Sequence, residues 1–463
     1  MTSRTKRIIL LVAGVQIVLI AGLLALPTAV QAIPGRYRVA LSERSPFLGN
    51  VAENIIQQVA PVPTALPAPR QETSVPQVDI SGVLALASTA VSPTPTPFPS
   101  PQPTQIKADT ASPDTTVPKE PTPAPTPIPP TPTIRPLPRR VVLEGVGNIR
   151  QTFNNCGPAN LTQVLNFYGD DITQEEARLY LKPNYEDRNV SPWQIADYVN
   201  EQTSYRAIAR SGGNFKQVKR FVAAGYPVVI EKGYELPQSG WWGHYLTVFG
   251  YDEDLAEMYS QDSYLGPLDG SGRVDRFEDV DPLWQQFNYT FYVVYRPEQE
   301  PEVMSLLDPQ LQDDFSMWSH VSDLAQAEVD ANPDDAFAWF NLGTAKTRLG
   351  ALTGEVQYYQ DGATAFDRAL EIGLPPRMLW YQHQPYLAYL KTDRYQDVIT
   401  LANVTLDTQG GRNVEETYWY KGHALLALGD IGGARQAYQF ALTVNENFYP
   451  AQWSLDYVDS LGG

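Results

Sequence analysis

A stretch that cannot build a core divides this chain. Between Pro61 and Pro138 lie 22 of the 40 prolines in 463 residues, in runs such as SPTPTPFPSPQPT and PTPAPTPIPPTPT. Proline fixes φ and removes a backbone donor, so these runs favour extended polyproline II, about 3.1 Å per residue, and act as semi-rigid spacers. Residues 33–138 are therefore predicted to be a disordered Pro/Thr-rich stalk, with one marginal helix between Ile33 and Ala60 and no assigned function. Docking of a partner on the proline motifs, or glycosylation of the threonines, is the functional alternative.

Upstream, Arg4, Lys6 and Arg7 precede IILLVAGVQIVLIAGLLAL, the apolar run from Ile8 to Leu26 in which Gln16 is the only strongly polar residue. At 1.5 Å per residue such a run makes roughly 28 Å of helix, close to the thickness of a bilayer's hydrocarbon core. Residues 1–32 are predicted to be a transmembrane signal-anchor, and the basic flank places the N-terminus in the cytoplasm and the rest outside. The competing reading is secretion after cleavage at Val30-Gln31-Ala32, against which the apolar run is longer than a signal peptide's core.

After Arg139 proline becomes sparse, aromatic residues become frequent, and enough chain remains for two domains, 139–297 and 298–463. In the first, helical patterns occur at Thr173–Leu181, Ser191–Thr203 and Asn214–Gly225. Strand-like runs follow from Pro227, His244, Ala256 and Tyr289. Helices first and strands later predict an α+β layout.

Cys156 in QTFNNCGPANLTQVLNFYG is the chain's only cysteine, so no internal disulfide is available to it. Leu161, Val164, Leu165 and Tyr168 have the spacing of one buried helical face and Pro158 suits a first helical turn, which puts Cys156 at a helix N-terminus. There the exposed N–H groups and the dipole favour a thiolate. A lone cysteine is ordinarily a small core residue, but an exported free thiol in a Gly-Pro turn points to a nucleophile.

A thiol nucleophile needs a base, and of the four histidines only His244 lies in the same domain; His320, His383 and His423 lie beyond it. His244 opens the run HYLTVFGYD and is predicted at a strand end. A third group should orient the imidazole, and Asp262 in YSQDS is placed for this, whereas Asp252 and Asp254 in GYDED have the character of turn residues.

Q-x4-CGPA from Gln151, GHYLTVFGYD around His244 and QDSYLGP around Asp262 together resemble the bacteriocin-processing (double-glycine leader) peptidases of the papain-like superfamily, especially their stand-alone relatives. The resemblance covers about Arg139 to Pro297. It implies a papain-like α+β fold with Cys156 as nucleophile, His244 as general acid/base, Asp262 as its orienter and the Gln151 amide joining the Cys156 N–H in an oxyanion hole. Gln163, two helical turns from the thiol, is the poorer donor candidate. The chain departs from the transporter-linked members, having a single hydrophobic span and no G-x4-GK[ST] loop, so leader removal coupled to export is not implied.

The second domain is predicted to be an all-α tetratricopeptide-repeat solenoid. Tyr418, Gly422, Ala434, Tyr438 and Ala441 match that repeat's spacing, and an earlier copy begins with Trp339, Leu342 and Gly343 and carries about seven extra residues. A degenerate copy spans Leu379–Thr405, and AQWSLDYVDSL supplies a closing helix, giving two to three copies and a cap. Such stacks bind proteins or peptides on a curved surface, the alternative being a buttress for the first domain.

From Glu298 onward there are 9 Lys/Arg against 24 Asp/Glu, a net of −15 out of the chain's −18. That favours a basic or neutral partner over nucleic acid or an anionic membrane surface. No metal-ligand spacing occurs and no cofactor is predicted. The resulting expectation is a membrane-anchored extracytoplasmic cysteine peptidase with a module that binds a peptide or protein. The alternatives are an inactive peptidase-fold scaffold and another thiol acyl-transfer enzyme of transglutaminase or NlpC type.

Overall fold

The computed structural model describes residue 16 and residues 65–84, 136–236, 240–267, 269–408 and 410–461. The apolar run Ile8–Leu26 lies outside these but for Gln16; among the described residues no helix is long and apolar enough to cross a membrane.

Residues 140–295 form an antiparallel sheet flanked by helices. In chain order the elements are β1 (Arg140–Val142), α1 (Cys156–Phe167), α2 (Gln174–Leu181), α3 (Pro192–Gln202), β2 (Arg206–Arg210), α4 (Phe215–Ala223), β3 (Val228–Leu236), β4 (Gly240–Asp252), β5 (Glu257–Gln261), β6 (Arg273–Arg276), α5 (Phe277–Gln285) and β7 (Phe291–Tyr295). The strand order is β2-β7-β3-β4-β5-β6, with β1 also paired to β4. Local signals set the helix starts: Thr173 before α2 and Ser191 before α3 each form a capping box, and Asn214 caps α4. Such caps contribute about 1 kcal/mol each.

Alternation along the central strands gives the sheet two buried faces. Val229 and Tyr245, with Tyr292 and Val294, meet Leu161, Val164 and Leu165 of α1. Val228, Ile230, Leu246 and Val248 meet Val218, Phe221 and Val222 of α4 on the other side. The α+β class stands, but the order differs from helices first, because β1 precedes α1 and β2 lies between α3 and α4. The short RAIAR of β2 is bounded by arginines and gains its place by pairing with β7 and by the Asn200 side chain of α3, which bonds both the N–H and the carbonyl of Ala207.

The remainder is helical: α6 (Glu300–Leu306), α7 (Asp314–Ala331), α8 (Ala336–Thr353), α9 (Val356–Ile372), α10 (Gln384–Lys391), α11 (Tyr395–Asp407), α12 (Glu415–Ala427), α13 (Ile431–Val444) and α14 (Tyr449–Ser460). Small residues set the closest approaches. A Cβ at Gly343 would stand 2.7 Å from the Phe366 ring, and one at Gly422 2.4 Å from the Tyr438 ring. The extra residues of the first pair are not a loop but longer helices, 18 and 17 residues in α8 and α9 against 13 and 14 in α12 and α13.

The expected boundary at 297/298 falls between β7 and α6 but is not a gap in packing. Val303, Leu307, Leu311, Met317, Trp318 and Val321 share one core with Ile230, Leu246 and Val293. Backbone carbonyls of Leu306 and Leu311 accept from the Gln217 and Arg210 side chains, at 2.8 and 2.6 Å.

Residues 65–84 correct the expectation of a disordered stalk from 33 to 138. Leu66, Ile80, Val83 and Leu84 are buried in the helical core. The backbone is tied as well: Leu66 N donates to Leu374 O, Arg70 and Gln71 N to the Asp397 carboxylate, Ser74 N to Asp393 O and Gln77 N to Ala427 O. Apolar residues spaced among the prolines make this part of the stalk dock; the rest of 33–138 outside 65–84 and 136–138 lies beyond the described residues.

Candidate active site

The turn before α1 is built from its own polar side chains. Asn154 has a left-handed φ of 55°, a conformation that asparagine tolerates better than most residues. Asn155 Nδ2 donates to Thr152 Oγ1 at 2.7 Å. Cys156 is then the first residue of α1, half-buried, with no acidic residue in the first turn to oppose the dipole.

His244 sits fifth in β4 instead of opening it, because GWWG pairs with Gly233–Leu236 and extends the strand upstream. It is 6% exposed. Its Nε2 lies 3.0 Å from Asp262 Oδ1, and its ring shares a hydrogen bond with the Cys156 side chain. With Nε2 on the carboxylate, Nδ1 is the nitrogen that serves the thiol. Asp262 follows β5, and its Oδ1 also accepts the N–H groups of Tyr264 and Leu265, both at 2.8 Å.

The charges reinforce one another. Burial opposes the charged forms of all three groups, and in all three it is overcome. Asp262 is brought down to about 2 by His244 and the two N–H groups. His244 is carried up to about 9 by Asp262 and Cys156. The Cys156 thiol falls below its ordinary value through His244, the charge of Lys182 and the backbone N–H of Tyr245. These are the conditions for a thiolate–imidazolium pair.

Gln151 is also brought to this site. Its N–H donates to Ser263 O at 2.9 Å and its amide oxygen accepts from Ser263 Oγ at 2.8 Å, which leaves the amide NH₂ as the donor end. Gln163 has no such place: it is buried within α1 with neither amide atom partnered. Asp252 turns the chain, its carboxylate accepting from Asp254 N at 2.9 Å, and Asp254 pairs with Arg139. The other histidines lie in the helical region, at Asp314–Ala331 for His320, at the start of α10 for His383 and in α12 for His423.

Three supporting residues escaped the sequence reading. Asn160, one turn into α1, donates to Cys156 O at 2.9 Å and Tyr245 O at 3.1 Å and accepts from Thr247 Oγ1 at 2.7 Å, locking α1 to β4. Lys182 is fully buried and donates to Asn154 O at 3.0 Å and Asp187 O at 2.8 Å, so its ammonium holds the turn that presents the thiol. Glu231, opposite Tyr245 in β3, is a buried carboxyl whose pKa burial raises well above the ordinary range. Only Asn160, in the i+4 position from Cys156, left a visible trace in the sequence.

The helical region reaches the site as well. Tyr381 accepts from the N–H of Gly243, the residue before His244. A Cβ at Gly243 would stand 2.8 Å from the Tyr381 ring and 2.7 Å from Phe287, so this approach requires glycine. Among the described residues no group of side chains has the makings of a metal site.

The sequence model of the Peptidase_C39-like family matches residues 143–291, which contain Gln151, Cys156, His244 and Asp262. No curated protein matches the chain. Among solved structures, a chain from Bacillus anthracis described as a presumptive C39-like peptidase aligns over 34% of this chain and 98% of its own, at 18% identity and a TM-score of 0.28, a likeness too small to bear on the site. Residues 143–291 are thus similar to a C39-like cysteine peptidase, while the helical region lies outside the match.

Proposed function

We propose that the chain is a cysteine peptidase that hydrolyses peptide bonds through Cys156, His244 and Asp262. The observation that carries this reading is His244 hydrogen-bonded on one side to Asp262 and on the other to the chain's only thiol, which heads a helix. The Cys156 thiolate attacks the scissile carbonyl carbon, and the oxyanion is received by the Cys156 N–H and the Gln151 amide. Imidazolium His244 gives its proton to the departing amine as the C–N bond breaks, leaving a thioester. His244, now neutral, takes a proton from water; the hydroxide displaces the sulfur, the acid is released and the ion pair is restored. Asp262 stays ionised throughout and keeps Nδ1 turned to sulfur.

The apolar run Ile8–Leu26 supports a single-pass anchor with the remainder outside the cell. The helix pairs from α8 to α13, with closing α14, support a tetratricopeptide-like module, and the contact of Tyr381 with Gly243 supports its use in positioning substrate at the thiol.

The test is alkylation of the full chain by iodoacetamide across pH, followed by intact mass, with a His244→Ala variant. Cys156 is expected to react rapidly below pH 7 and to lose that reactivity in the variant. Reaction that follows an ordinary thiol near pH 8.5 in both proteins would end the catalytic reading.

A further inference from the structure

A cavity of about 550 Å³ lies between the first domain and the helical region and is used by none of the steps above. Trp193 at the head of α3 walls it on one side, and Trp318 of α7, Arg348 of α8 and Trp419 of α12 wall it on the other. Cys156, His244 and Asp262 do not line it. It adjoins their site through Tyr381, which lines it and bonds the N–H of Gly243.

Arg348 is the one lysine or arginine among the described residues of this wall, and it makes no hydrogen bond or ion pair with any described residue. It is 6% exposed, its guanidinium lying over the Trp193 and Trp318 rings at 5.0 and 5.3 Å. Nε is sealed off, whereas Nη1 and Nη2 keep accessible surface and turn their donors to the open space. Burial lowers the guanidinium to about 10, which leaves it a cation at neutral pH. The charges that act on it are those of Tyr420 and Asp314, and Asp314 is already engaged by Arg210 at 3.8 Å.

The acids of the wall do not supply the missing countercharge. Burial disfavours ionisation of Glu231 and Glu416, the second being raised to about 8. Asp197 and Glu201 act instead on Tyr180, at the end of the cavity where Tyr180 and Tyr449 are exposed. Water can hydrate the Nη ends but brings no charge, and a desolvated cation without one is costly. A planar fork with two free N–H ends matches a carboxylate, and a single cation suits a single negative charge.

We propose that this cavity binds a small monocarboxylate with an apolar body, its carboxylate on Nη1 and Nη2 of Arg348 and its body among Trp193, Trp318 and Trp419. The site stands apart from the reacting groups and does not depend on the peptidase reading. An aryl or alkyl organic acid and the terminus of a short peptide offer the same chemistry. Because both parts of the molecule wall the cavity, an occupant bridges them and raises the Tm.

The experiment is calorimetric titration of the full chain with phenylacetate and phenylacetamide, and with the tripeptide acetyl-Ala-Ala-Phe as free acid and as amide. Each titration is repeated on protein alkylated at Cys156, which keeps the thiol's own site out of the reading. At least one acid is expected to bind about ten-fold or more tightly than its amide, before and after alkylation, and to raise the Tm. That ratio should fall toward one in Arg348→Gln, with folding checked by thermal melting. Arg348→Lys keeps the charge but not the fork, and an intermediate ratio is expected. Binding of phenylacetate identifies an organic acid as the source, and binding confined to the tripeptide acid identifies a chain terminus. Equal binding of acids and amides, no binding by either acid at millimolar concentration, or binding lost on alkylation would overturn the proposal. So would a preference undiminished in Arg348→Gln, or in Arg348→Lys should Arg348→Gln not fold.

Discussion

Two buried histidines, one in the sheet domain and one in the helical region, have opposite fates. His244 faces Asp262 and Cys156 and is carried up to about 9, whereas His423 in α12 faces no charge and burial drives it down to about 3. His423 Nδ1 meets only Tyr438 Oη at 2.7 Å, and its Nε2 has no partner. Burial lowers both, so the difference between them lies in what each imidazole faces. A carboxylate with its own N–H donors turns one imidazole into a reservoir of charge; an aromatic wall makes the other a neutral packing element.

The largest break in that contrast comes from removing the carboxylate. Asp262→Asn leaves the shape of the site and takes away the charge that raises His244, so the imidazolium ceases to stabilise the thiolate. Alkylation of Cys156 at pH 6 is expected to fall ten-fold or more while approaching the native rate at pH 9; an unchanged pH profile would show that Asp262 plays no electrostatic part.

A smaller effect is expected in the helical region, where packing and not charge governs. Gly422→Ala brings a methyl to 2.4 Å from the Tyr438 ring, the ring that also holds His423. Overpacking of this kind costs about 1–3 kcal/mol, read as a lowered Tm with alkylation at neutral pH unaltered.

The smallest effect sharpens the comparison through pH. Because the folded pKa of His423 lies below the unfolded value of about 6.5, the unfolded chain binds the extra proton, and stability is lost as pH falls from 6.5 toward 3. His423→Leu should flatten this acid-side loss, by on the order of 1 kcal/mol between pH 7 and 5 in urea titrations. The raised pKa of His244 has the opposite sign: its contribution is present below 6.5 and lost as pH rises through about 9. His423→Leu should leave that alkaline limb in place, and loss of both limbs would refute the assignment.

How far the site was legible follows from the same distinction. Cys156, His244 and Asp262 could be found because each was scarce or set in a turn of the right kind, and helix spacing alone placed Cys156 at the head of α1. The strand start at Gly240 was missed because glycine and tryptophan in GWWG give no alternation, although β3 supplies their partners. Lys182 and Tyr381 were invisible for a different reason: each acts on backbone remote in sequence, Asn154 O for Lys182 and Gly243 N–H for Tyr381, and a buried lysine reads as a surface one until Asn154 and Asp187 are seen beside it. The docking of residues 65–84 escaped because composition averages over a window, while Leu66, Ile80 and Val83 act one at a time.

That docking changes the mechanics of the chain. Residues 65–84 are stitched to Leu374, Asp393, Asp397 and Ala427 of the helical region, and β1 at Arg140–Val142 is paired with β4, so the chain is held to the body on both sides of its most proline-rich stretch. A pull arriving from the N-terminal side of residue 65 is borne first by the helical region, ahead of β1, whose partner β4 is the strand that carries His244. Cleavage of the backbone between residues 84 and 136 would leave residues 65–84 in place, held by contacts and no longer by the covalent backbone. A segment that looks in sequence like a spacer thus includes, at residues 65–84, a tie to the helical region.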